Sequence, residues 1–318
     1  MKTILVLGGT GFVGRAVCAR LVNRSGGADG RILVPTRRAQ HGNRVRSLPT
    51  VDPVPANVHD DAELARLVAG CDAVINLVAI LHGSAADFQH VHVALPRRLA
   101  QACKAAGVRR LVHVSALGVG PGAPSNYLRS KTEGEAVLTA ADLALTLLRP
   151  SVIFGEEDRF LNVFASLQSV APIMPLACSG ARFQPVWVDD VAEAVVRCLD
   201  RSETIGQTYE CVGPTVYTLS ELVAFAGRWS SQARMQFPLP DFLGRLQALA
   251  MEMLPGEPLM SRDNLDSMKV PNVATGQLPG LSDLGITASA MEAIAPSYLG
   301  SGHARARLDR WRAAAGRE

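Results

Sequence analysis

A glycine turn between an apolar, strand-like run and a helix-like segment opens the chain. Residues 3–7 are Thr-Ile-Leu-Val-Leu, glycines follow at positions 8, 11 and 14, and an amphipathic segment covers 15–24. Side chains at these positions would block the approach of a phosphate pair to the backbone N–H groups at the start of the helix. The pattern predicts a nucleotide-binding βαβ unit cradled by Gly8, Gly11 and Gly14. The same unit predicts mainly backbone contacts from three further residues, Thr10, Phe12 and Val13.

Short apolar runs alternate with helix-like segments through the first half of the chain. The runs are continuously apolar, which is typical of strands buried on both faces of a parallel sheet. Segments 61–69, 88–106 and 125–141 have helical spacing. We therefore predict an α/β fold, a Rossmann-type doubly wound parallel sheet that binds ligands beyond the carboxyl ends of its strands. The predicted strands are 3–7, 31–34, 73–78, 110–114 and 144–148.

The regular alternation ends near Pro150, and Pro and Gly cluster in the second half of the chain. A length of 318 residues allows a full nucleotide-binding domain and a smaller attached lobe. We predict a Rossmann domain over residues 1–155, with its sheet completed by strands from 183–212. Residues 156–318 are expected to form a smaller C-terminal lobe that binds the substrate or a partner.

Composition excludes several classes of protein. The 32 basic and 29 acidic residues nearly balance, which argues against a nucleic-acid-binding protein. The six cysteines form no Cys-x-x-Cys pair, and His90 and His92 are expected to face different ways on a helix, so no metal site is predicted. No leader-like segment and no uncharged run of the ~18 residues that a membrane span needs is found. The sequence predicts a cytoplasmic protein with reduced thiols and no transmembrane span.

Two arginines stand where the second predicted strand ends. A cofactor without a 2′-phosphate is usually held there by an acidic residue, about 20 residues after the glycines. Here the strand continues into Pro35-Thr-Arg37-Arg38 without an acidic residue. Guanidinium groups bind a 2′-phosphate through charge-assisted hydrogen bonds, so the sequence favours NADP(H) over NAD(H), with Arg37 and Arg38 as phosphate ligands. A solvated loop in an arginine-rich chain is the alternative, and it leaves NAD(H) open.

A tyrosine and a lysine four residues apart form the candidate chemical centre. Tyr127 and Lys131 lie in a helix-compatible segment after the strand that ends near Ser115, so both side chains would share one helical face. A neighbouring ammonium lowers the pKa of a phenol, which can then exchange a proton while a hydride moves to or from nicotinamide. The lysine can also hold the nicotinamide ribose. Both residues are therefore predicted as catalytic groups and as cofactor contacts.

These motifs follow the order found in the extended short-chain dehydrogenase/reductase (NAD-dependent epimerase/dehydratase) superfamily, which the chain resembles over most of its length. The shared segments are Gly8-x-x-Gly11-x-x-Gly14, Tyr127-x-x-x-Lys131, Arg149-Pro150-Ser-Val-Ile-Phe-Gly155 and Val188-Asp-Asp190-Val-Ala192. Segments 127–131, 154–162 and 183–189 are similar to an atypical branch, typified by the nucleotide-binding accessory subunit of respiratory complex I and its bacterial relatives. The resemblance implies a bound NADP(H) more than a reaction, because that subunit has no accepted turnover. It also implies cofactor contacts from Leu77, Val78, Ala79, Pro150 and Ile153.

One departure from the active members concerns the hydroxyl beside the tyrosine. In those members a Ser or Thr after the fifth strand polarises the substrate oxygen, whereas here Ser115 is followed by Ala116 at the expected serine position. Without a hydroxyl at that position the donor to the substrate oxygen would be Ser115, Asn126 or water, and losing one such donor typically costs ~100-fold or more in rate. Ser115 is kept as a catalytic candidate.

Two functions stay open. The first is an oxidoreductase or an epimerase/dehydratase-type enzyme that acts on an unidentified, apolar or quinone-like substrate. The second is a noncatalytic NADP(H)-binding accessory subunit of a membrane-associated respiratory or quinone-related complex, in which Tyr127 and Lys131 only clamp the ribose.

Segment 240–254 is the candidate contact surface. Its large apolar residues fall along one face of a helix, at Phe242, Leu243, Leu246, Leu249, Ala250 and Met253. The default prediction is a core-packed helix of the small lobe, since interfacial helices usually carry a strongly cationic face. A lid, a partner-binding helix or a membrane-surface helix is the alternative, the last placing the protein peripherally at the inner membrane face. Two further predictions are structural: a capping box of Asp190 and Glu193 before a helix over 191–199, and a solvated, arginine-rich helix over 305–317.

Overall fold

The computed structural model describes residues 1–27, 29–253, 256 and 258–300 and divides the chain into two compact units. The first unit comprises Met1–Ser151, Val188–Val212 and Ala274–Thr287. The second comprises Val152–Trp187, Gly213–Val273 and, among the described residues, 288–300. The helix predicted at 305–317 lies outside the described residues.

Strands and helices alternate along the first half of the chain and are shorter and less regular in the second. The strands are β1 (Thr3–Leu7), β2 (Arg31–Thr36), β3 (Val51–Pro55), β4 (Ala73–Asn76), β5 (Arg110–Val114), β6 (Ala144–Pro150), β7 (Ile153–Phe154), β8 (Ile173–Ala177), β9 (Arg182–Phe183), β10 (Val186–Trp187), β11 (Thr208–Cys211), β12 (Tyr217–Thr218) and β13 (Met235–Leu239). The α-helices are α1 (Phe12–Arg24), α2 (Ala39–Gly42), α3 (Asp61–Val68), α4 (Ala85–Gln89), α5 (Leu95–Ala106), α6 (Asn126–Thr139), α7 (Leu161–Val170), α8 (Val188–Asp200), α9 (Leu219–Trp229), α10 (Asp241–Glu252), α11 (Arg262–Ser267) and α12 (Met291–Leu299). A π-helical turn, His90–Ala94, joins α4 to α5, and a 3-10 turn, Ser202–Thr204, follows α8.

Seven parallel strands form the sheet of the first unit, in the order β11-β6-β5-β4-β1-β2-β3. Leu5 in β1 pairs with Leu33 on one side and Val74 on the other, and its side chain is fully buried. The strand order reverses between β1 and β4, the point at which doubly wound sheets bind ligands. The predicted α/β fold with a Rossmann-type parallel sheet is confirmed.

One strand of this sheet is absent from the predicted set. β3 has the sequence Val-Asp-Pro-Val-Pro, and its two prolines argue against a strand with neighbours on both sides. It lies at the edge of the sheet, where among the described residues it pairs only with β2. An edge strand needs backbone N–H donors on one side only, so the prolines are tolerated.

The helix predicted over 88–106 is interrupted by the π-helical turn between α4 and α5. Pro96 has no N–H to donate to the carbonyl of His92 four residues earlier, so regular α-helical bonding cannot continue at that point. The same carbonyl lies close to α6, where a Cβ built on Gly134 would be 2.0 Å from the His92 oxygen. His92 is 3% exposed, whereas His90 is exposed.

Helix α8 begins earlier than predicted. β10 passes directly into the helix at Val188, so Asp190 lies within the first turn and not at a cap position. The predicted capping box is therefore wrong. Glu193 instead accepts a hydrogen bond from Arg197 at 2.7 Å and lies 3.6 Å from the guanidinium of Arg20 on α1.

Short strand pairs and five helices build the described part of the second unit. β8 pairs with β13 and β7 with β10 in parallel, and β9 pairs with β12 in antiparallel orientation. Phe154 and Leu222 lie in the core that α7, α9 and α12 share. Buried Asp158 fixes the loop before α7, because it accepts hydrogen bonds from the Tyr298 hydroxyl and the Phe160 N–H, both at 2.9 Å.

The apolar face of α10 is exposed, so the default prediction of a core-packed helix is wrong. Phe242 is 69% exposed, Leu246 61% and Met253 80%. The buried residues of this helix are the small ones, Gly244 and Ala248, which pack beside the strand β8. A helix that approaches its neighbour through small residues leaves its large side chains outside. None of the helices in the described residues is long and apolar enough to span a membrane.

Candidate dinucleotide-binding site

The glycine turn after β1 folds into a closed cradle at the start of α1. Gly11 donates its N–H to the Gly8 carbonyl at 3.0 Å, and Arg15 donates to the Gly11 carbonyl at 3.0 Å. A Cβ built on Gly14 would lie 2.2 Å from the Gly8 oxygen and 2.5 Å from the Gly9 Cα, so only glycine fits. Gly11 begins the helix without a capping side chain, and the first turn has no acidic residue. The first N–H groups of α1 can therefore receive an anion.

The loop after β4 lies directly against this cradle. Gly8 has φ +82°, and a Cβ built on it would lie 3.1 Å from the Leu77 carbonyl carbon and 3.3 Å from the Val78 nitrogen. Asn76 shapes the loop, since its Oδ1 accepts the Val78 N–H at 3.2 Å and its Nδ2 lies 3.1 Å from His113 Nδ1. The structure thus brings together two predicted groups of cofactor contacts, the glycine turn and residues 77–79.

The two arginines after β2 are exposed at the carboxyl end of that strand. The Thr36 hydroxyl donates to the Arg38 carbonyl at 3.0 Å and so shapes the turn that presents them. Nearby, the ring of His59 stacks on His90 with centroids 4.4 Å apart. Burial, and after it the charges of His90 and Arg37, lowers the pKa of His59 to about 4. His59 is therefore uncharged at neutral pH and adds no positive charge beside Arg37.

Tyr127 lies in the first turn of α6. The Ser125 side chain caps this helix by accepting the Leu128 N–H at 3.1 Å. The Tyr127 ring makes edge contacts with Phe88 and His92, with centroids 6.1 and 5.5 Å apart. Burial raises the pKa of Tyr127 to about 12, which is opposite to the lowering that the sequence led us to expect. The phenol is therefore protonated at neutral pH and acts as a hydrogen-bond donor.

Lys131 is buried one turn further along α6. Its Nζ donates to the Val114 carbonyl at the end of β5, at 3.0 Å. Burial lowers the pKa of Lys131 to about 8, while the charge of Glu135 raises it. The ammonium is thus held at the carboxyl edge of the sheet, and its charge depends on the carboxylate one turn away.

Glu135 is itself neutralised by an arginine of β6. Arg149 donates through Nε to Glu135 Oε1 at 3.0 Å and through a terminal nitrogen to Oε2 at 2.5 Å. The Glu135 side chain is 7% exposed and that of Arg149 25%. A two-pronged pair of this kind fixes both side chains and links the helix of Tyr127 and Lys131 to the strand that ends at Pro150.

Ser115 follows β5 and carries a hydroxyl with no hydrogen-bond partner among the described residues. The residue is 5% exposed, and its backbone N–H donates to the Leu148 carbonyl at 2.7 Å. Buried hydroxyl groups normally find a partner, so an unpaired one at the carboxyl edge of a sheet marks a place for a ligand atom. Ala116 beside it is buried as well.

The remaining predicted contacts fall in different units. Pro150 ends β6 in the first unit, where its carbonyl accepts the Leu117 N–H at 3.0 Å. Ile153 belongs to the second unit and pairs with Val186. Contact between Ile153 and a nicotinamide stays a prediction.

The sequence-based prediction missed several residues that hold the site together: His92, His113, Ser130, Glu135 and Arg149. They form no local motif, because the bonds from His113 to Asn76, from His92 to Ser130 and from Arg149 to Glu135 join residues 14 to 38 positions apart. One usable signal was present. Pro96 four residues after His92, together with a glycine in the following helix, indicates a distorted turn.

The arrangement fits a dinucleotide. At Gly14 an added Cβ would fill the cradle beside the uncapped first turn of α1. After β5 lie the buried hydroxyl of Ser115, which has no partner among the described residues, and the buried ammonium of Lys131. A family model for NAD dependent epimerases and dehydratases matches residues 4–211.

The chain belongs to the NAD dependent epimerase/dehydratase family.

Known proteins are similar to this chain in sequence or in fold. The chain is 32% identical over 294 residues to the mouse (Mus musculus) mitochondrial NADH dehydrogenase [ubiquinone] 1 alpha subcomplex subunit 9, covering 90% of this chain and 77% of that protein. An NADPH-dependent quinone oxidoreductase of Escherichia coli, in complex with NADPH, has a similar fold, with a TM-score of 0.74 at 20% identity over 93% of this chain and 99% of that chain. UDP-glucose 4-epimerase of Thermus thermophilus in complex with NAD matches with a TM-score of 0.63 at 21% identity over 84% and 99%. The predicted resemblance to the epimerase/dehydratase family and to the complex I subunit is confirmed.

Proposed function

We propose that this member of the epimerase/dehydratase family binds NADP(H) and holds it as an accessory subunit of a membrane-associated assembly. The observation that carries the proposal is the glycine cradle, closed at Gly14 and packed against the backbone of Leu77 and Val78. The name of the mouse relative supports the accessory role. In this proposal the first unit binds the cofactor, and the second carries the surface for a partner or substrate.

Preference for NADP(H) rests on the end of β2. No acidic side chain stands at 35–38 to accept the ribose hydroxyls of NAD(H), and two exposed guanidinium groups are present instead. Arg37 and Arg38 would hold the 2′-phosphate, and the first N–H groups of α1 the pyrophosphate. Lys131 and Tyr127 would donate to the nicotinamide ribose. Bound NADP(H) supplies a hydride donor or acceptor at the nicotinamide ring.

Replacing Arg37 and Arg38 by alanine tests the cofactor preference. We expect each variant to bind NADPH about tenfold more weakly and to leave NADH binding unchanged, because one charge-assisted bond to phosphate is lost. Isothermal titration of both nucleotides measures the two affinities. Arg109→Ala is the matched control. Arg109 is exposed, lies just before the amino end of β5, away from the carboxyl ends of the strands, and pairs with Asp142. Equal loss for NADPH and NADH would contradict the assignment.

The partner surface is the apolar face of α10, formed by Phe242, Leu243, Leu246, Leu249 and Met253. The neighbouring strands add exposed Met235, Phe237 and Ile173. Monomeric proteins rarely expose so many large apolar residues together. We assign this face to a protein subunit of the assembly, and the protein is then cytoplasmic and peripheral at the inner face of the membrane.

Charged substitutions on this face test the docking. Membranes of the protein's own cells are solubilised in detergent and run on a native gel, and the band that oxidises NADH is probed for the tagged protein. Phe242→Glu and Leu246→Glu are expected to keep the fold intact and to be missing from that band. Ile205→Glu, which changes an exposed apolar residue of the first unit, is the control. Retention of both variants in that band would contradict the surface. If the wild type bound lipid vesicles and the two variants did not, the face would be assigned to a membrane instead. If the wild type formed a homodimer and the variants did not, the face would be assigned to a second copy of the chain.

The unpaired Ser115 hydroxyl favours a second function, an oxidoreductase that acts on an apolar or quinone-like substrate. Ser115 would donate to the substrate oxygen and Tyr127 would exchange its proton. The enzyme is supported if the wild type oxidises NADPH with a quinone and Tyr127→Phe loses this activity while it keeps its affinity for NADPH. NADPH binding without such turnover would decide for the accessory role.

A further inference from the structure

A chain of hydrogen bonds connects the loop after β4 with the helix that carries Tyr127 and Lys131. Ile80 donates its N–H to His92 Nε2 at 3.1 Å, and His92 Nδ1 lies 2.9 Å from Ser130 Oγ. The Ser130 hydroxyl in turn lies 2.8 Å from the Tyr127 carbonyl. His92 is thus the one side chain in this chain of bonds that touches both the loop and the helix.

The partners fix the tautomer of His92. Because Nε2 accepts an N–H, it carries no proton, and Nδ1 must carry the proton of the neutral ring. Nδ1 then donates to Ser130 Oγ, and the Ser130 hydroxyl donates to the Tyr127 carbonyl. Each donor and acceptor has one partner, and the bonds run in one direction from loop to helix.

Burial, more than the charges around it, keeps His92 neutral. Burial, and after it the charge of Lys131 on α6, lowers the pKa of His92 to about 3. Phe88 on α4 and Tyr127 on α6 lie against the ring, and buried His113 on β5 is itself uncharged, because burial holds its pKa well below the ordinary range. Protonation would break the bond from Ile80, and between pH 5 and 9 it does not occur.

The backbone of His92 is held as tightly as its ring. Its carbonyl packs against Gly134 of α6, and the π-helical turn that places it there is imposed by Pro96. A π-helical turn inside a helix is rare and is often found at functional sites. Both the ring and the backbone of His92 therefore contact α6.

We infer that His92 is a positioning residue that couples the cofactor loop at 77–80 to Tyr127 and Lys131, so that binding at one aligns the other. The inference rests on the proposed NADP(H) binding. The loop includes Leu77 and Val78, against whose backbone Gly8 packs, and the helix carries the groups assigned to the nicotinamide ribose. Through His92, the loop beside the glycine cradle and the groups assigned to the nicotinamide ribose are joined by a single connection.

Two substitutions each keep one of the two bonds of His92. In His92→Asn, the side-chain amide nitrogen at the δ position can still donate to Ser130, but nothing reaches the Ile80 N–H. In His92→Gln, the oxygen at the ε position can still accept from the Ile80 N–H, but the bond to Ser130 is lost. If the connection acts as a unit, both variants bind NADPH about tenfold more weakly although each retains half of it. Gln89→Ala is the matched control, because it removes a surface hydrogen bond of 2.7 Å from Gln89 at the end of α4 to Glu133 on α6.

Titration of NADPH into folded protein is combined with nitrogen-15 spectra of the histidine rings. We expect the wild-type His92 ring to stay in the Nδ1–H form from pH 5 to 9. We also expect the Ile80 amide signal to shift on NADPH binding in the wild type and not in the Asn variant. A purely structural role would lower the melting temperature and leave the affinity of the folded variants unchanged, and that result would overturn the inference. Failure of the wild type to bind NADPH would instead overturn the proposed function itself.

Discussion

Replacing Gly14 by alanine is expected to destabilise the first unit by about 3 kcal/mol or more and to abolish cofactor binding. The added Cβ would lie 2.2 Å from the Gly8 carbonyl oxygen and 2.5 Å from the Gly9 Cα. Both atoms belong to the backbone, so no side chain can move aside, and the turn itself must open. Urea unfolding followed by circular dichroism measures the loss of stability, and titration of NADPH measures the loss of binding.

Gly11→Ala separates the two effects. A Cβ at Gly11 would lie 3.2 Å from the Gly8 oxygen, which a shift of a few tenths of an ångström relieves, and the residue is exposed. This variant should therefore fold nearly as well as the wild type, yet its methyl group would stand where the phosphates approach, and it should bind NADPH weakly. Gly180→Ala, where nothing lies within 4 Å, is the neutral control. Wild-type stability of Gly14→Ala would contradict the closed cradle.

Replacing Glu135 by glutamine is expected to change the pH range in which NADP(H) binds. In the wild type burial lowers the pKa of Lys131 from 10.5 to about 8, and Glu135 opposes part of that lowering. The ammonium is the form that donates to a ribose, so NADPH affinity should fall as pH rises through about 8. Without the carboxylate the pKa of Lys131 drops further, and the fall in affinity should begin at lower pH.

The same substitution is expected to cost stability. It leaves the Arg149 guanidinium without its opposite charge, and breaking a buried pair typically costs ~3–5 kcal/mol. Because Arg149 is 25% exposed and glutamine still accepts one hydrogen bond, we expect about 2 kcal/mol.

Glu133→Gln is the matched control for both effects, since it makes the same charge change on an exposed position of α6. Its affinity should follow the wild-type pH profile and its free energy of unfolding should be unchanged. If Glu135→Gln also followed the wild-type profile, Lys131 would not be the group that contacts the cofactor, and the role assigned to α6 would fail.

Features that depend on local sequence could be predicted. The glycine turn, the central strands and the helix of Tyr127 each follow from apolar runs, glycine spacing or capping residues within about 20 positions. β3 was missed because its prolines count against a strand unless its place at the sheet edge is known. The π-helical turn was missed because helical spacing was assumed to continue through Pro96.

Features that depend on distant partners could not be predicted. The Tyr127-x-x-x-Lys131 spacing is correct, but the direction of the Tyr127 pKa depends on how deeply its ring lies among Phe88 and His92. The exposure of α10 depends on which face approaches β8. In retrospect Gly244 and Ala248, four residues apart, mark that face, because small residues allow the closest approach of a helix.

Titration of NADPH and of NADH into the nucleotide-free wild-type protein tests the central claim most directly. The account predicts that one molecule of NADPH binds per chain, at least about tenfold more tightly than NADH, through the 2′-phosphate contacts of Arg37 and Arg38. Equal affinities, a preference for NADH, or no binding of either nucleotide would contradict it.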